Sequence, residues 1–114
     1  MAAIQNPGPD ARVLFKLTAE SVIGGPKLVL SGYHPSYDIR DDYWTSVMHE
    51  FLDVERVVTG ETAAANVVFI TPEVYPHSLW VGRKLTVREG NRIVGEAIIL
   101  DIYNPILKRQ TADL

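Results

Sequence analysis

Lys84-Leu85-Thr86-Val87-Arg88-Glu89-Gly90-Asn91-Arg92-Ile93-Val94-Gly95 reads as a β-hairpin. Its first half alternates apolar Leu85 and Val87 with polar Lys84, Thr86 and Arg88, the period of two that turns one face of a strand toward a core. Gly90-Asn91 then interrupts the pattern. Glycine at the first central position supplies the positive φ of a type II′ turn, a two-residue connection whose twist suits the flanking strands. The chain resumes from Ile93 to Tyr103, and Ile98 to Ile102 is rich in the β-branched side chains that favour strands.

Similar signals extend upstream. Val13, Phe15 and Leu17 alternate with Arg12, Lys16 and Thr18, predicting a strand with one buried face. Gly24-Gly25-Pro26 marks a turn, Leu28-Val29-Leu30 restarts a strand, and Gly32-Tyr33-His34-Pro35 interrupts it. Pro35 has no amide donor, so it belongs at an edge, a bulge or a strand end. Residues 43–58 admit two readings. Asp41-Asp42 could cap a helix, but Val47, His49 and Phe51 share one face of a strand, and Val54, Val57, Val58 and Thr59 are β-branched, which favours strands. Thr59-Gly60-Glu61 is a turn. Ala65 to Ile70 is a short apolar run, read as a buried strand that Thr71-Pro72-Glu73 ends. Six or so short strands with turns every 8–12 residues predict a sandwich or barrel.

The 114 residues suit one domain with a core that needs no disulfide or metal. Asn6-Pro7-Gly8-Pro9-Asp10 makes 1–10 a flexible lead-in, 11–105 the β-barrel domain and 106–114 a polar tail. A formal charge of −3 gives no bulk attraction for nucleic acid. The absence of cysteine excludes disulfides, thiolate metal sites and cysteine nucleophiles. No apolar stretch is long enough to span a membrane, and Met1-Ala2-Ala3-Ile4-Gln5 lacks the basic and apolar parts of a signal peptide, so the expected location is cytoplasmic.

Candidate chemistry is sparse. His34, His49 and His77 lack metal-ligand spacing and are expected at the surface or the barrel ends. Asp41-Asp42 and Asp53/Glu55 read as solvated carboxylates, and no serine sits in a nucleophile elbow. The expectation is therefore no catalytic residue, no cofactor and no metal. Tyr33, His34, Tyr37, Arg40, Tyr43 and Trp44 cluster within a dozen residues, and Trp80 stands beside Pro76 and His77. Tyr, Trp and Arg are enriched at binding hot spots. Asp38, Asp41 and Asp42 beside them would repel phosphate, which favours a protein partner over RNA. Arg88, Glu89 and Arg92 are expected to pair across the hairpin.

Two segments resemble the C-terminal, third barrel domain of the elongation factor Tu family. One is the hairpin Leu85 to Gly95, which is similar to the family's Arg-Glu-Gly-Gly-Arg-Thr-Val-Gly. The other is Ser31-Gly32-Tyr33-His34-Pro35-Ser36-Tyr37-Asp38-Ile39-Arg40, which is similar to a Gly-Tyr-Arg-Pro pattern followed by an aromatic residue and an arginine. Their order and separation fit, and the resemblance covers residues 10–103. It implies an all-β fold, a six-stranded antiparallel closed barrel. It implies no GTP site, which the family keeps in another domain; this chain has no phosphate loop. In the family the third domain helps hold the T-stem of aminoacyl-tRNA. Here Ser31 replaces a basic residue, His34 replaces the motif's arginine, and Tyr43-Trp44-Thr45 stands where a Thr-Gly turn lets backbone approach RNA. The expected function is a non-catalytic protein-interaction module of adaptor, inhibitor or immunity type. The alternative is a translation-linked domain that binds tRNA or another RNA. Tyr33, His34, Tyr37, Arg40, Tyr43, Trp44, Trp80, Arg88 and Arg92 are the expected partner-binding residues.

Overall fold

The computed structural model describes residues 8–110, and these are all-β. The strands are β1 (Ala11–Leu17), β2 (Leu28–Leu30), β3 (Ser36–Arg40), β4 (Tyr43–Phe51), β5 (Arg56–Val58), β6 (Thr62–Phe69), β7 (Lys84–Glu89) and β8 (Arg92–Ile102). A single 3₁₀ turn covers Pro72–Val74. Six strands close an antiparallel barrel in the order β1-β6-β4-β3-β7-β8, while β2 and β5 form a separate two-stranded ribbon. The antiparallel order places the 18–27 loop, the ribbon and the 90–91 turn at one end of the barrel. Residues 8–10, 41–42, 70–83 and 103–109 gather at the other.

Alternation builds the interior. β1 buries Ala11, Val13, Phe15 and Leu17; β4 buries Thr45, Val47, His49 and Phe51. The 43–58 region is thus two strands joined at 52–55, and the apolar residues of β4 repeat every second position rather than along a helical stripe. β6 corrects the reading of a fully buried strand. It buries Ala63, Ala65, Val67 and Phe69, whereas Asn66 and Val68 lie on the opposite face and Ile70 is exposed. Aromatic rings fill the centre: Phe15 packs on Phe51 at 5.9 Å and Tyr37 edge-on to Phe69 at 5.8 Å.

Glu89 pairs with Arg92, leaving Gly90-Asn91 as the loop. Gly90 takes φ of +60° and Asn91 stays on the negative side, as a type II′ turn requires. The register then shifts between Val87 and Arg88, so Val94 is an extra residue and both Val94 and Gly95 are buried. The Val94 carbonyl accepts the amides of Thr18 at 2.9 Å and Ala19 at 3.1 Å, tying β8 to the end of β1. A β-carbon on Gly95 would lie 2.2 Å from the Lys16 carbonyl oxygen and 3.4 Å from a Phe15 ring carbon.

The described residues on either side of 11–105 continue into the fold. Residues 1–7 and 111–114 lie outside the described residues, but Asp10 and residues 106–109 are built into the domain. The Asp10 carboxylate accepts the Phe69 amide at 2.8 Å and the Asn104 side-chain amide at 2.9 Å. Its carbonyl accepts the amides of Tyr103 and Asn104. Near the other terminus Leu107 is fully buried, its carbonyl accepts the Leu79 amide at 2.8 Å, and Arg109 donates its amide to Leu79 at 2.7 Å. Between 106 and 110 the composition hid a segment held by backbone bonds and by the buried Leu107.

Gly95→Ala is expected to destabilise the domain by about 1–3 kcal/mol, because the added methyl meets backbone that cannot rotate away. Urea unfolding should show a lower midpoint with an unchanged slope; an unchanged midpoint would mean that β1 and β8 separate easily there.

Candidate functional site

The segments at 31–40 and 84–95 meet across the seam between β3 and β7, where the strands share the register pairs Ser36↔Arg88 and Tyr37↔Val87. Tyr33 donates its hydroxyl to Glu89 at 2.6 Å, and the Lys27 ammonium reaches the same carboxylate at 3.0 Å. Burial pushes the Glu89 pKa up, but the bonds from Tyr33 and Lys27 and the nearby Arg92 charge hold it below the ordinary range. Burial and the Glu89 contact together raise the Tyr33 phenol well above its ordinary value. Arg88 Nε lies 2.8 Å from Asp38 on β3, and its guanidinium lies 4.6 Å from the Trp44 ring centre. Arg83 extends the seam, donating to the Ile39 carbonyl at 2.8 Å.

These contacts correct the expectation of pairing across the hairpin. Arg88 turns to β3, Glu89 to Tyr33 and Lys27, and Arg92 donates to the Glu20 carbonyl. The segments that fold over the hairpin supply closer partners than its opposite strand does.

The expected binding residues do not converge. Tyr37 is fully buried and is corrected to a core residue, because its register position points into the barrel. Tyr33 is half-buried, its ring 5.8 Å from both Phe15 and His49. Arg92 joins it at the ribbon end. At the other end Tyr43 packs 5.8 Å from Tyr75, Arg40 is exposed opposite Tyr43, and Trp80 carries Arg83 at 5.0 Å and Arg109 at 4.3 Å from its ring centre. His34, Trp44 and Arg88 remain on the outer wall.

That wall holds residues that the aromatic cluster did not reveal. Outward positions of antiparallel strands facing water are ordinarily polar. Here Trp44, Met48, Val68 and Ile70 are exposed by 40%, 36%, 38% and 62%. Met48 pairs directly with Val68, Trp44 with Asp38, and Ser46 with Ser36, which in turn pairs with Arg88. The Ile70 amide bonds to Ser46, placing Ile70 beside it. Val47 and His49 donate their amides to Pro35 and Tyr33, which carries the register on and sets His34 opposite Met48. The result is one face in which small serines are surrounded by Trp44, Met48, Ile70, Val68, His34 and the Arg88–Asp38 pair. The parity of Trp44-Ser46-Met48 against Thr45-Val47-His49 was the available signal.

The remaining titratable groups are placed plainly. Asp41 and Asp42 occupy an exposed turn. Among the described residues no group of three or more His, Asp or Glu side chains is arranged to hold a metal ion. No helix among them is long and apolar enough to cross a membrane. A cleft of about 490 Å³ lies between Gly8, Pro9, Asp10, Tyr103, Asn104 and Pro105; both Asp10 carboxylate oxygens there are already engaged. His34 and His77 are exposed, whereas His49 is fully buried, contrary to the expectation of surface histidines. Its even spacing from Val47 and Phe51 puts it inside, among the rings of Phe15, Tyr33, Tyr37 and Phe51. Nδ1–H donates to the Val47 carbonyl at 3.2 Å, so Nε2 accepts the Tyr37 hydroxyl at 2.7 Å. No family model matches the chain.

Burial lowers the His49 pKa from 6.5 to about 4. The unfolded chain therefore binds a proton that the folded chain refuses throughout that window. Stability should be full above about pH 6.5 and fall toward pH 4, by at most about 1.4 kcal/mol per pH unit. Urea unfolding between those limits should show this slope in the native chain, and His49→Gln should remove it; an equal slope in both would assign the effect to other groups.

Proposed function

We propose that the chain is a non-catalytic protein-interaction module on a barrel of the elongation factor Tu third-domain type, docking through the outer wall of β3, β4, β6 and β7. The apolar character of the outward register positions carries this reading. Trp44, Met48, Val68 and Ile70 lie on the solvent side of strands that alternate regularly, so they add nothing to the barrel interior. Trp, Met and Arg are the residue types enriched where proteins meet proteins, and contiguous exposed apolar surface marks such sites.

The charges nearby support protein over RNA. Arg88 is engaged by Asp38 and Lys27 by Glu89, so these cations are compensated before any phosphate arrives. Strong RNA binding draws on cations free to displace counterions. The elongation factor part of the reading rests on the two sequence motifs at 31–40 and 84–95; tRNA binding is the competing family role.

Met48→Asp with Trp44→Ala is the direct test. Trp44 gives up its contact with the Arg88 guanidinium and Met48 its pairing with Val68, so the variant should stay folded but lose about 1–2 kcal/mol of stability. A photo-crosslinking residue at position 68 should trap a defined protein in native extract with the parent chain, and the double variant should lose that product. Purified total tRNA should show no low-salt binding. Unchanged crosslinking in the double variant, or tRNA binding that weakens steadily as salt rises, overturns the proposal.

A further inference from the structure

The turn that leads into β7 brings two arginines to one tryptophan. Trp80-Val81-Gly82-Arg83 is closed by the Arg83 amide, which donates to the Trp80 carbonyl at 3.1 Å. Gly82 supplies the φ of +93° that a type II turn needs at its third position. The turn returns Arg83 to the indole, with its guanidinium carbon 5.0 Å from the ring centre. Arg109 reaches the same ring, at 4.3 Å, from the segment after β8.

The backbone beneath this group is fixed. His77 donates its amide to the Ile106 carbonyl at 2.7 Å, and its Nδ1 lies 3.1 Å from the Lys108 carbonyl. Leu79 donates to Leu107 at 2.8 Å, and Arg109 donates to Leu79 at 2.7 Å. Arg83 is also fixed at its tip, donating to the carbonyls of Ser78 and Ile39. The Arg109 guanidinium differs. Among the described residues it has no hydrogen-bond or ion-pair partner, and its contact is the indole.

These cations lack a counterion. Among the described residues no carboxylate lies within salt-bridge distance of Arg83, Lys108 or Arg109, whereas Lys27, Lys84 and Arg88 each have one. Burial lowers the Arg83 pKa, with no carboxylate among the described residues holding it up. Two permanent charges thus share one ring, an arrangement that an anion stabilises. Arg40, at the same end of the barrel, is followed by Asp41 and Asp42, which balance it. Those two acids and Glu73 are exposed there and confine the anion to the Arg83–Arg109 pair.

We propose that Trp80, Arg83 and Arg109 form a carboxylate-binding site for a short acidic segment of a protein partner. Arg109 supplies a free fork whose paired N–H groups match the two oxygens of an aspartate or glutamate side chain. Arg83 adds a second charge already held in place. Val81, 63% exposed on the turn, offers an apolar neighbour for the residue beside that carboxylate. Two guanidinium groups already lie over the indole, where a nucleic-acid base would have to stack, so a carboxylate is favoured over a single-stranded nucleic acid. The inference rests on the reading of the chain as a protein-interaction module. It gives that module a second contact, charged where the outer wall is apolar.

The test uses the full chain with Trp44→Phe, which leaves Trp80 as its single tryptophan. The probe is an end-capped, fluorescein-labelled Glu-Leu-Glu-Leu-Glu peptide, followed by its anisotropy and by Trp80 emission. Saturable binding that changes the emission and weakens as salt rises is expected, and the matching Gln-Leu-Gln-Leu-Gln peptide should not bind. Arg109→Ala should keep the urea midpoint and bind about 5-fold or more weakly. Asp113→Asn should bind as the native chain does. The site is ruled out if the two peptides bind alike, if Arg109→Ala retains the native affinity, or if a single-stranded oligonucleotide binds more tightly than the acidic peptide. Tighter binding by Asp113→Asn would make the chain's own carboxylate the occupant and equally defeat the proposal. A peptide that fails to bind, with the position-68 crosslink still formed by the parent chain, removes this inference alone. Absence of that crosslink removes the reading on which it rests.

Discussion

The barrel depends on closing the seam between β3 and β7. Every other neighbouring pair in the barrel is joined by a longer ladder, but here the backbone supplies two register pairs and side chains supply the rest. Asp38 holds Arg88, Glu89 gathers Tyr33 and Lys27, and Arg83 caps the Ile39 carbonyl. Failure of these contacts would leave two strand edges exposed, the state that sheet proteins avoid by closure. The segments at 31–40 and 84–95 are the two banks of this one seam.

That constraint changes how the charged and aromatic residues should be understood. Tyr33 and Arg88 have the composition of a recognition surface, yet both are committed to intramolecular partners. Arg88 still lends its guanidinium face to Trp44, with its charge already balanced by Asp38. The outer wall therefore offers shape and apolar contact rather than net positive potential, consistent with binding in which electrostatics sets specificity instead of supplying the driving force.

Much of this fold was legible because alternation is local. The hairpin at Gly90-Asn91 and the shared face of Val47, His49 and Phe51 follow from spacing alone. The poorly legible parts depend on partners distant in sequence. Asp10 sits in a proline- and glycine-rich run that reads as loose, and its bonds reach Phe69 and Asn104. Leu107 follows the exposed Ile106 and precedes a polar run, and it is buried where the loop carrying Leu79 bonds to it. The strands of the β2–β5 ribbon were legible at Leu28-Val29-Leu30 and Val57-Val58, but a ladder of three residues on each side gives no local sign of which strand pairs with which.

The candidate surface was obscured by clustering without parity. Tyr33, Tyr37, Tyr43 and Trp44 look like one group in sequence, but successive strand residues face opposite sides, so Tyr37 enters the core while Trp44 leaves it. The same parity assigns Met48 to the Trp44 side and His49 to the interior. Burial keeps His49 neutral there, and its bond with Tyr37 satisfies two polar groups inside an aromatic core. An interior fixed by such a bond keeps β3 in register with β4, and that register aligns His34 with Met48 and Ser36 with Ser46. The geometry of the exposed face is thus inherited from a hydrogen bond that no partner can reach.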